Sequence, residues 1–476
     1  MFKSKSTGMN SLKVALFMLA ILFTVSCENT SKDKNITQNS FSGADGEVKL
    51  ITLDPGHFHA ALVQKNMYKQ VDPTVFVYAP EGPDVQMHLD RINAYNSRAD
   101  NPTSWDENVY TGPDFLEKML SEKPGNVMVI AGNNSKKTDY ILRSMEAGIN
   151  VLADKPMIIN PEEFPKLEKA FQVANEKGVL LYDIMTERYE ITTVLQRELS
   201  MLPEVFGKLQ KGTADDPAIT KESVHHFFKY VSGSPLTRPA WFFDTRQQGE
   251  GIVDVTTHLV DLIQWEAFPE VILKKEDVNV QTAKHWTTDL TLEMFHKVTG
   301  LDTYPDYLQK DLEDDVLKVF SNGEINYTLK DVHAKVSVIW NFEAPEGTGD
   351  THYSIMRGTM CNLIIEQGEK EGYQPRLYIE STGDDVMALS GNLYNAIQGL
   401  QSKYPGISLE KLSDKIWTLN IPDSYKVGHE AHFGQVTEKY LQYLVDGKLP
   451  DWEVPNMIVK YYTTTEGLKA AMKNDD

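Results

Sequence analysis

The sequence predicts an α/β protein: a doubly wound parallel sheet in the first half, then an α+β domain with a largely antiparallel sheet. Two observations predict the first part. β-rich runs alternate with helical segments, and residues 127–131 are apolar throughout, as expected for a parallel strand buried on both faces. A third observation predicts the second part. Residues 334–342 and 376–380 alternate in polarity, which is typical of an antiparallel sheet with one covered face.

Length and charge exclude several classes of protein. The chain has 476 residues, of which 41% are hydrophobic and 24% charged, a composition typical of a globular protein with a core. Its 47 basic and 68 acidic side chains give a net charge of −21. Such a surface should repel polyanions, so we expect no nucleic-acid partner. The two cysteines, Cys27 and Cys361, exclude a disulfide framework.

Residues 1–26 predict a signal peptide. Lysines precede an apolar run at residues 14–25, which is shorter than the ~20 residues of a membrane-spanning helix. The run ends just before Cys27 and resembles a bacterial lipobox, in which the cysteine is lipidated; an ordinary signal peptide or an uncleaved anchor is the alternative. Polar residues 27–47 predict a lipoprotein tether. We therefore expect a periplasmic or surface lipoprotein of the bacterial cell envelope, attached to the membrane only through this anchor.

The first folded domain is predicted over residues 48–190. Its predicted strands are residues 48–53, 74–78, 108–111, 127–131, 150–153 and 179–182. Residues 136–148 and 161–177 predict helices between the later strands. Strands that alternate with helices form a parallel sheet, which binds ligands at the carboxyl ends of its strands.

The turn after the first strand predicts a dinucleotide site. A strand, a tight glycine turn and a helix form the first crossover of a dinucleotide-binding fold. Asp54 and His59 stand where the G-x-G-x-x-G pattern needs glycine, whereas Gly56 keeps the position at which backbone approaches a pyrophosphate. His57 is either a cofactor or substrate contact or an ordinary loop histidine. Glu81 follows the second strand, where an acidic group binds ribose hydroxyls, and therefore favours NAD over NADP.

Three further segments together resemble the glucose–fructose oxidoreductase / inositol 2-dehydrogenase (Gfo/Idh/MocA) family. Residues 129–134 (VIAGNN) resemble its ATPN-like turn, the helix ending at Gly148 resembles its EAGKHV segment, and residues 151–156 (VLADKP) resemble its EKP loop. The resemblance covers about residues 48–270. From about residue 320 the chain is similar to the C-terminal part of an exported oxidoreductase subgroup.

The resemblance implies a cofactor site and a catalytic set. The expected cofactor-binding residues are Asp54, Gly56, His57, Phe58, Glu81, Asn133, Asn134, Asp154 and Lys155. The expected catalytic residues are Lys155, Asp254 and His258. In this interpretation His258 exchanges the hydroxyl proton and Lys155 steadies the oxygen, while Asp254 orients the imidazole or holds a neighbouring hydroxyl. A helix predicted over residues 251–267 would place Asp254 and His258 on one face.

Substrate contacts are expected from Arg188, Tyr189, Trp241 and Tyr353, with core or surface roles as the alternative. Trp241 follows a proline in a predicted loop, where an exposed aromatic ring suits stacking on a sugar. Residues 191–476 are predicted to form the substrate domain, with homo-oligomerisation through its sheet. Residues 429–432 (HEAH) lack the HExxH spacing of metalloproteases, so no metal is expected.

The sequence leaves three functions open. The first is an exported NAD(P)-dependent oxidoreductase that transfers hydride between a secondary alcohol of a carbohydrate or polyol and a nicotinamide. The second is an NAD-dependent glycoside hydrolase that works by transient oxidation and elimination, for which the same residues would serve. The third is a non-catalytic sugar-binding lipoprotein. The altered glycine loop favours this third function, whereas Lys155, Asp254 and His258 argue against it.

Overall fold

The computed structural model describes residues 41–231, 234–346 and 348–474, so the predicted signal peptide and Cys27 lie outside the described residues. Within those ranges, no helix combines the length and the apolar character that crossing a membrane requires.

The first domain is built on a six-stranded parallel sheet with the strand order β3-β2-β1-β4-β5-β6. Its strands are β1 (Leu50–Leu53), β2 (Thr74–Ala79), β3 (Asp106–Thr111), β4 (Val127–Ile130), β5 (Asn150–Asp154) and β6 (Leu181–Ile184). Every residue of β1, β4 and β5 is buried. The predicted parallel sheet is confirmed. Because β1 lies between β2 and β4, the order reverses at β1, and a crevice forms at the carboxyl ends there.

Five helices connect these strands: α1 (His59–Leu62), α2 (Pro83–Ser97), α3 (Phe115–Glu122), α4 (Lys137–Glu146) and α5 (Phe164–Lys177). The helices predicted over residues 136–148 and 161–177 correspond to α4 and α5. The sequence pattern did not predict α2. This helix buries only Val85, His88 and Ile92, so its apolar residues do not recur at a clear helical spacing. Helix α1 is a single turn.

The second domain contains a ten-stranded sheet in which β13 and β7 pair in parallel and the other neighbours are antiparallel. Its strands are β7 (Ile219–Phe228), β10 (Val278–Leu290), β11 (Leu312–Glu313), β12 (Val316–Leu329), β13 (Val332–Glu343), β14 (Thr351–Arg357), β15 (Cys361–Gln367), β16 (Arg376–Ser381), β17 (Ser408–Lys411) and β18 (Ile416–Asn420). Strands β8 (Tyr230–Val231) and β9 (Ser234–Pro235) pair separately. The predicted largely antiparallel sheet is confirmed.

The remaining helices are α6 (Ile191–Ser200), α7 (Thr245–Gln248), α8 (Thr256–Ala267), α9 (Leu292–Thr299), α10 (Val386–Leu400), α11 (His429–Asp446) and α12 (Glu453–Met472). Helix α8 begins at Thr256, five residues later than predicted. Gly251 lies so close to β12 that an added Cβ would be 1.8 Å from the carbonyl oxygen of Ser321. This close approach accompanies a run of turns over residues 251–255, so Asp254 precedes the helix instead of lying on its face.

The last two helices return to the first domain. Phe433 and Tyr440 of α11 and Met457 and Tyr461 of α12 belong to the same apolar core as β1, β4 and β5. The predicted domain boundary lies between residues 190 and 191. Residues of α11 and α12 nevertheless pack into the core of the first domain, although they come after this boundary in sequence. One consequence is that His429, the first residue of α11, reaches the carboxyl edge of the parallel sheet.

A buried cluster of five charged side chains joins β6, α8 and α12. Arg188 pairs with Asp261 at 2.6 Å and with Glu453 at 2.9 Å. Lys460 pairs with Asp183 at 2.6 Å and with Asp261 at 2.9 Å. All five side chains are at least nine-tenths buried. The guanidinium of Arg188 is thus committed to carboxylates of the fold, which corrects its expected role as a substrate contact.

Candidate active site

A cavity of about 500 Å³ lies at the carboxyl edge of the parallel sheet, bounded by both sheets and by α11. This volume is within the range of about 300–1,000 Å³ typical of small-molecule sites. Lys155, Asp254 and His258 all line it. The structure therefore brings together the three residues that were expected to be catalytic, although about a hundred positions separate Lys155 from the others in sequence.

Lys155 and Asp254 form a close ion pair in this cavity. Lys155 follows β5 directly, and its Nζ lies 2.5 Å from Asp254 Oδ1. The second oxygen of Asp254 accepts a hydrogen bond from Gln248 Nε2 at 3.0 Å. Asp254 thus orients the Lys155 ammonium. From the sequence, Asp254 was instead expected to orient the His258 imidazole or to hold a neighbouring hydroxyl. The reason is the late start of α8, which leaves Asp254 in the preceding turn.

The His258 imidazole is buried, and its Nδ1 has no hydrogen-bond partner among the described residues. Burial, and then the positive charge of Lys155, lower the pKa of His258 to about 4. The imidazole is therefore neutral at pH 7. A neutral imidazole can accept a proton from a hydroxyl group, which is the chemistry expected of this residue.

Gly56 lies against an acidic and an aromatic side chain. A Cβ added to Gly56 would be 3.0 Å from Asp84 Oδ2 and 3.1 Å from Trp241 Cζ2. Trp241 Nε1 donates a hydrogen bond to the same Asp84 oxygen at 2.7 Å, and the indole is buried. This placement corrects the expected exposed, sugar-stacking Trp241. Asp84, not the exposed Glu81, is the acidic residue that faces Gly56.

The other side of the crevice is the turn after β4. The backbone N–H groups of Gly56 and His57 both donate to the carbonyl of Ala131, at 3.2 and 3.1 Å. Asn133 and Asn134 donate to α7, to Gln247 Oε1 at 2.6 Å and to the backbone oxygen of Gln248 at 2.7 Å. The first two backbone donors of the glycine turn and both asparagine amides are thus engaged within the protein.

Asp54, the first residue after β1, has a left-handed backbone with φ of 47°. Its carboxylate accepts a hydrogen bond from Tyr140 at 3.3 Å, and burial raises the pKa of Asp54 to about 6. The residue therefore takes the backbone conformation for which glycine is usually chosen, at the cost of a buried carboxyl group.

The side chains present suit a dinucleotide that runs from Asp84 to Lys155, and the space beside Gly56 would have to widen to admit it. A narrow second cavity of about 30 Å³ extends along the β1–α1 turn between Gly56 and Asp84, and shares Phe58 with the main cavity. Arg91 and Arg238 both line it, but the buried Arg238 guanidinium donates to the backbone oxygens of Phe227 and His226. Asp84 would meet the ribose, Gly56 and the Arg91 guanidinium the phosphates, and Lys155 the nicotinamide end.

Two of the other expected substrate contacts lie away from the main cavity. Tyr189 lines a separate groove with Trp452. Tyr353 pairs with Glu222 across β14 and β7, on the face opposite to Lys221, whose side chain is buried beneath α6 and α8. The alternation of side chains along a strand explains this placement, because a shift of one residue reverses the face.

Sequence reasoning missed Asp350 as a cavity residue. Asp350 receives hydrogen bonds from His226 at 3.0 Å and from Lys229 at 2.7 Å, and it lines the cavity with Lys229 and His225. Burial alone would raise the pKa of Asp350, but hydrogen bonds from His225 and His226 and the charge of Lys229 hold it well below its usual value. The only signal for Asp350 in the sequence is its position three residues before Tyr353, in a segment that resembles the family.

The structure also brings together His57, His59, Asp154 and His429. His59 Nδ1 lies 2.9 Å from Asp154 Oδ2, and His59 Nε2 lies 3.3 Å from His429 Nε2. His59 and His429 are 370 positions apart in sequence. No local spacing signals such a contact.

Two family models match the chain. Residues 74–183 match "Oxidoreductase family, NAD-binding Rossmann fold", and residues 195–472 match "Putative oxidoreductase C terminal domain". No curated protein matches the chain.

Solved structures are similar over almost the whole chain. A "putative oxidoreductase" from Parabacteroides merdae ATCC 43184 is 59% identical over 91% of this chain and 100% of its own, with a TM-score of 0.90. A levoglucosan dehydrogenase in complex with NADH is 10% identical over 89% and 97% of the two chains, with a TM-score of 0.56. A 3-ketoreductase from Actinomadura kijaniata, in complex with NADP and TDP-benzene, is 13% identical over 89% and 97%, with a TM-score of 0.53. At these low identities, the last two show a common fold.

Proposed function

The chain belongs to the Gfo/Idh/MocA family of NAD(P)-dependent oxidoreductases, and from that membership we propose that it transfers hydride between a nicotinamide cofactor and a secondary alcohol of a carbohydrate or polyol. The observation that carries this proposal is the Lys155–Asp254 ion pair at the carboxyl end of β5, in one cavity with His258. A positioned cation beside a neutral base is what oxidation of a hydroxyl group needs.

Each residue of this group has a distinct role. The bound nicotinamide supplies the hydride acceptor for oxidation, or the hydride donor for reduction. The Lys155 ammonium donates a hydrogen bond to the reacting oxygen and stabilises its developing negative charge. The Asp254 carboxylate holds the ammonium in place. The neutral His258 imidazole accepts the hydroxyl proton during oxidation and, once protonated, returns it during reduction.

The lining of the cavity supports a polyhydroxylated substrate. Asp350 and Lys229 provide a carboxylate and an ammonium, and Gln367 an amide that can both donate and accept. One structural neighbour, a levoglucosan dehydrogenase, has been solved with NADH and levoglucosan, a combination that agrees with this substrate class. The Asp84 carboxylate beside Gly56 favours NAD, because it would repel the additional phosphate of NADP.

Denaturing extraction of the purified protein tests the cofactor, with NAD(H) as the expected product. Gly56→Val should reduce the bound cofactor at least tenfold, because a side chain there meets Asp84 and Trp241 at about 3 Å and forces them out of the position in which Asp84 would meet the ribose. Gly383→Val is the matched control, since a Cβ at Gly383 meets nothing within 4 Å. Equal NAD content in the two variants would show that the dinucleotide does not pass Gly56.

Net turnover distinguishes the proposed reaction from NAD-dependent glycoside hydrolysis. The proposed oxidoreductase should convert a sugar or polyol with stoichiometric formation of NADH. Release of an aglycone from a glycoside without net NADH would contradict the proposal and favour the hydrolase.

We also propose that the enzyme acts in the cell envelope as a lipoprotein anchored through Cys27. The short apolar run before Cys27 supports this location. Cys27→Ala should move the protein from the detergent phase to the aqueous phase in a phase-partition experiment. Ser31→Ala, in the same tether, should leave it in the detergent phase. Detergent partition of the Cys27→Ala protein would rule out lipidation at this residue.

A further inference from the structure

We propose that His57, His59 and Asp154 form a binding site for a divalent transition-metal ion, with His429 as the outer hydrogen-bond partner of His59. Two imidazoles and one carboxylate suit Zn²⁺ or Fe²⁺. The proposal concerns occupancy of this site by metal and does not depend on the substrate or on the reaction proposed above.

Three elements of the fold bring the ligands together. His57 lies in the turn after β1, His59 is the first residue of α1, and Asp154 is the last residue of β5. Asp154 Oδ2 lies 2.9 Å from His59 Nδ1 and 3.9 Å from His57 Nδ1. One ligand atom from each residue lies within 4.8 Å of the other two. Around an ion with bonds of about 2.0–2.2 Å, neighbouring ligand atoms are about 3–3.5 Å apart, so a small movement of His57 closes the site.

His57 presents an unprotonated ring nitrogen. Its Nδ1 accepts a hydrogen bond from the backbone N–H of His59 at 3.3 Å. A metal ion binds an imidazole through such a nitrogen. Asp154 is 4% exposed. A buried carboxylate of this kind is normally balanced by a cation.

The nearby lysines leave the Asp154 carboxylate available. Lys155 pairs with Asp254 at 2.5 Å. Lys137 donates to the backbone oxygen of Asp154 at 3.0 Å and not to its side chain. The described ion pairs of the Asp154 side chain are with His57 and His59.

His429 and Glu187 provide the outer support that metal-binding histidines usually have. With His59 Nδ1 on the ion, its Nε2–H points at His429 Nε2, 3.3 Å away. On the other side of that ring, His429 Nδ1 lies 3.7 Å from Glu187 Oε1. A second nitrogen that donates to a fixed partner sets the tautomer and orientation of a metal-binding imidazole. The sequence prediction of no metal rested on spacing within residues 429–432 and could not detect this arrangement.

The site would remain open toward the main cavity. Three protein ligands leave at least one position of a zinc ion free, as in catalytic and not structural sites. His57 and His59 both line the cavity that contains Lys155. The free position therefore faces oxygen ligands, either water or a hydroxyl or carbonyl group bound there.

Titration of the untagged, chelator-treated full chain in detergent tests the proposal, with Zn²⁺ and the spectroscopic probe Co²⁺. We expect one equivalent of Zn²⁺ to bind with a Kd of about 1 µM or less, and Co²⁺ to give visible d–d bands. His57→Ala and His59→Ala should each weaken binding at least a hundredfold. His429→Ala should weaken it about 10–100-fold, as expected for an outer partner. His296→Ala, whose side chain is 55% exposed, is the control and should bind normally.

Thermal unfolding separates loss of the site from loss of the fold. Saturating Zn²⁺ should raise the Tm of the wild-type protein, because a ligand that binds only the folded state stabilises it. A folded Asp154→Asn protein, confirmed by circular dichroism, should show no such rise. Absence of tight Zn²⁺ and Co²⁺ binding by the wild-type protein, or normal binding by His59→Ala, would overturn the proposal. Neither readout requires cofactor or substrate, so a failed activity assay does not affect the result.

Discussion

Lys155→Met is expected to reduce the rate of hydride transfer by about 10²–10⁴-fold while leaving the fold and most of the cofactor affinity intact. The ammonium lies 2.5 Å from Asp254 in the cavity, and methionine retains much of its volume but loses its charge and its donors. Single-turnover reduction of bound NAD measures the effect. Lys426→Met, at the rim of the same cavity, removes a lysine that pairs with Asp423 and should have little effect. Equal rates in the two variants would remove Lys155 from the mechanism.

The pH dependence of the same reaction should identify the base. Burial and Lys155 lower the pKa of His258 to about 4, so its proton-accepting form predominates above that pH. The rate of oxidation should therefore fall only below about pH 5. A histidine with an ordinary pKa would instead give the pH–rate profile an acidic limb near pH 6.5. His258→Ala should lose this limb together with about 10²–10⁴-fold in rate. An unchanged limb in His258→Ala would assign the base to another group.

Lys460→Met should lower the free energy of unfolding by about 3–5 kcal/mol, the usual cost of removing one partner from a buried ion pair. Lys460 is fully buried, and its loss leaves Asp183, Asp261 and Glu453 with Arg188 as their single cation. Urea unfolding measures the change. Lys318→Met, which removes a surface pair with the half-exposed Asp289, should have little effect. A similar loss of stability in both variants would contradict a special role for the buried cluster.

The same cluster predicts a pH window for stability. Burial alone would lower the pKa of Lys460, but Asp183 and Asp261 raise it, so its contribution is present below its unfolded pKa and is lost as the pH rises through the folded value. Burial alone would raise the pKa of Asp261, but Arg188 and Lys460 hold it well below its usual value. Its contribution is present above the unfolded pKa and is lost as the pH falls. The difference between wild type and Lys460→Met should therefore be largest between about pH 4 and pH 10.

The strands of the first domain could be predicted from sequence because their signal is local. Residues such as Val129 and Val151 lie in short apolar runs bounded by turns, and the structure places strands there. The common cavity of Lys155, Asp254 and His258 was expected from the resemblance to the family alone, because Asp254 and His258 belong to the second domain and no local pattern links them to Lys155.

The partners of these residues could not be predicted in the same way. Asp254 pairs with Lys155 because Gly251 lies against Ser321, 70 positions away, and delays the start of α8. Trp241 is buried because Asp84, which belongs to a helix with weak periodicity, accepts its N–H. Both contacts join residues that are far apart in sequence, so a pattern read from a short stretch of the chain cannot reveal them.

The return of α11 and α12 to the first domain also determines when the protein can become active. Synthesis from the N-terminus completes the strands of the parallel sheet early, yet one wall of the cavity, including His429, comes from near the end of the chain. Lys460, which neutralises Asp183 and Asp261, is synthesised after His429. An unfinished or truncated chain therefore has the nucleotide-binding half without a completed reaction chamber. We therefore expect the enzyme to be inactive until α11 and α12 have packed against the first domain.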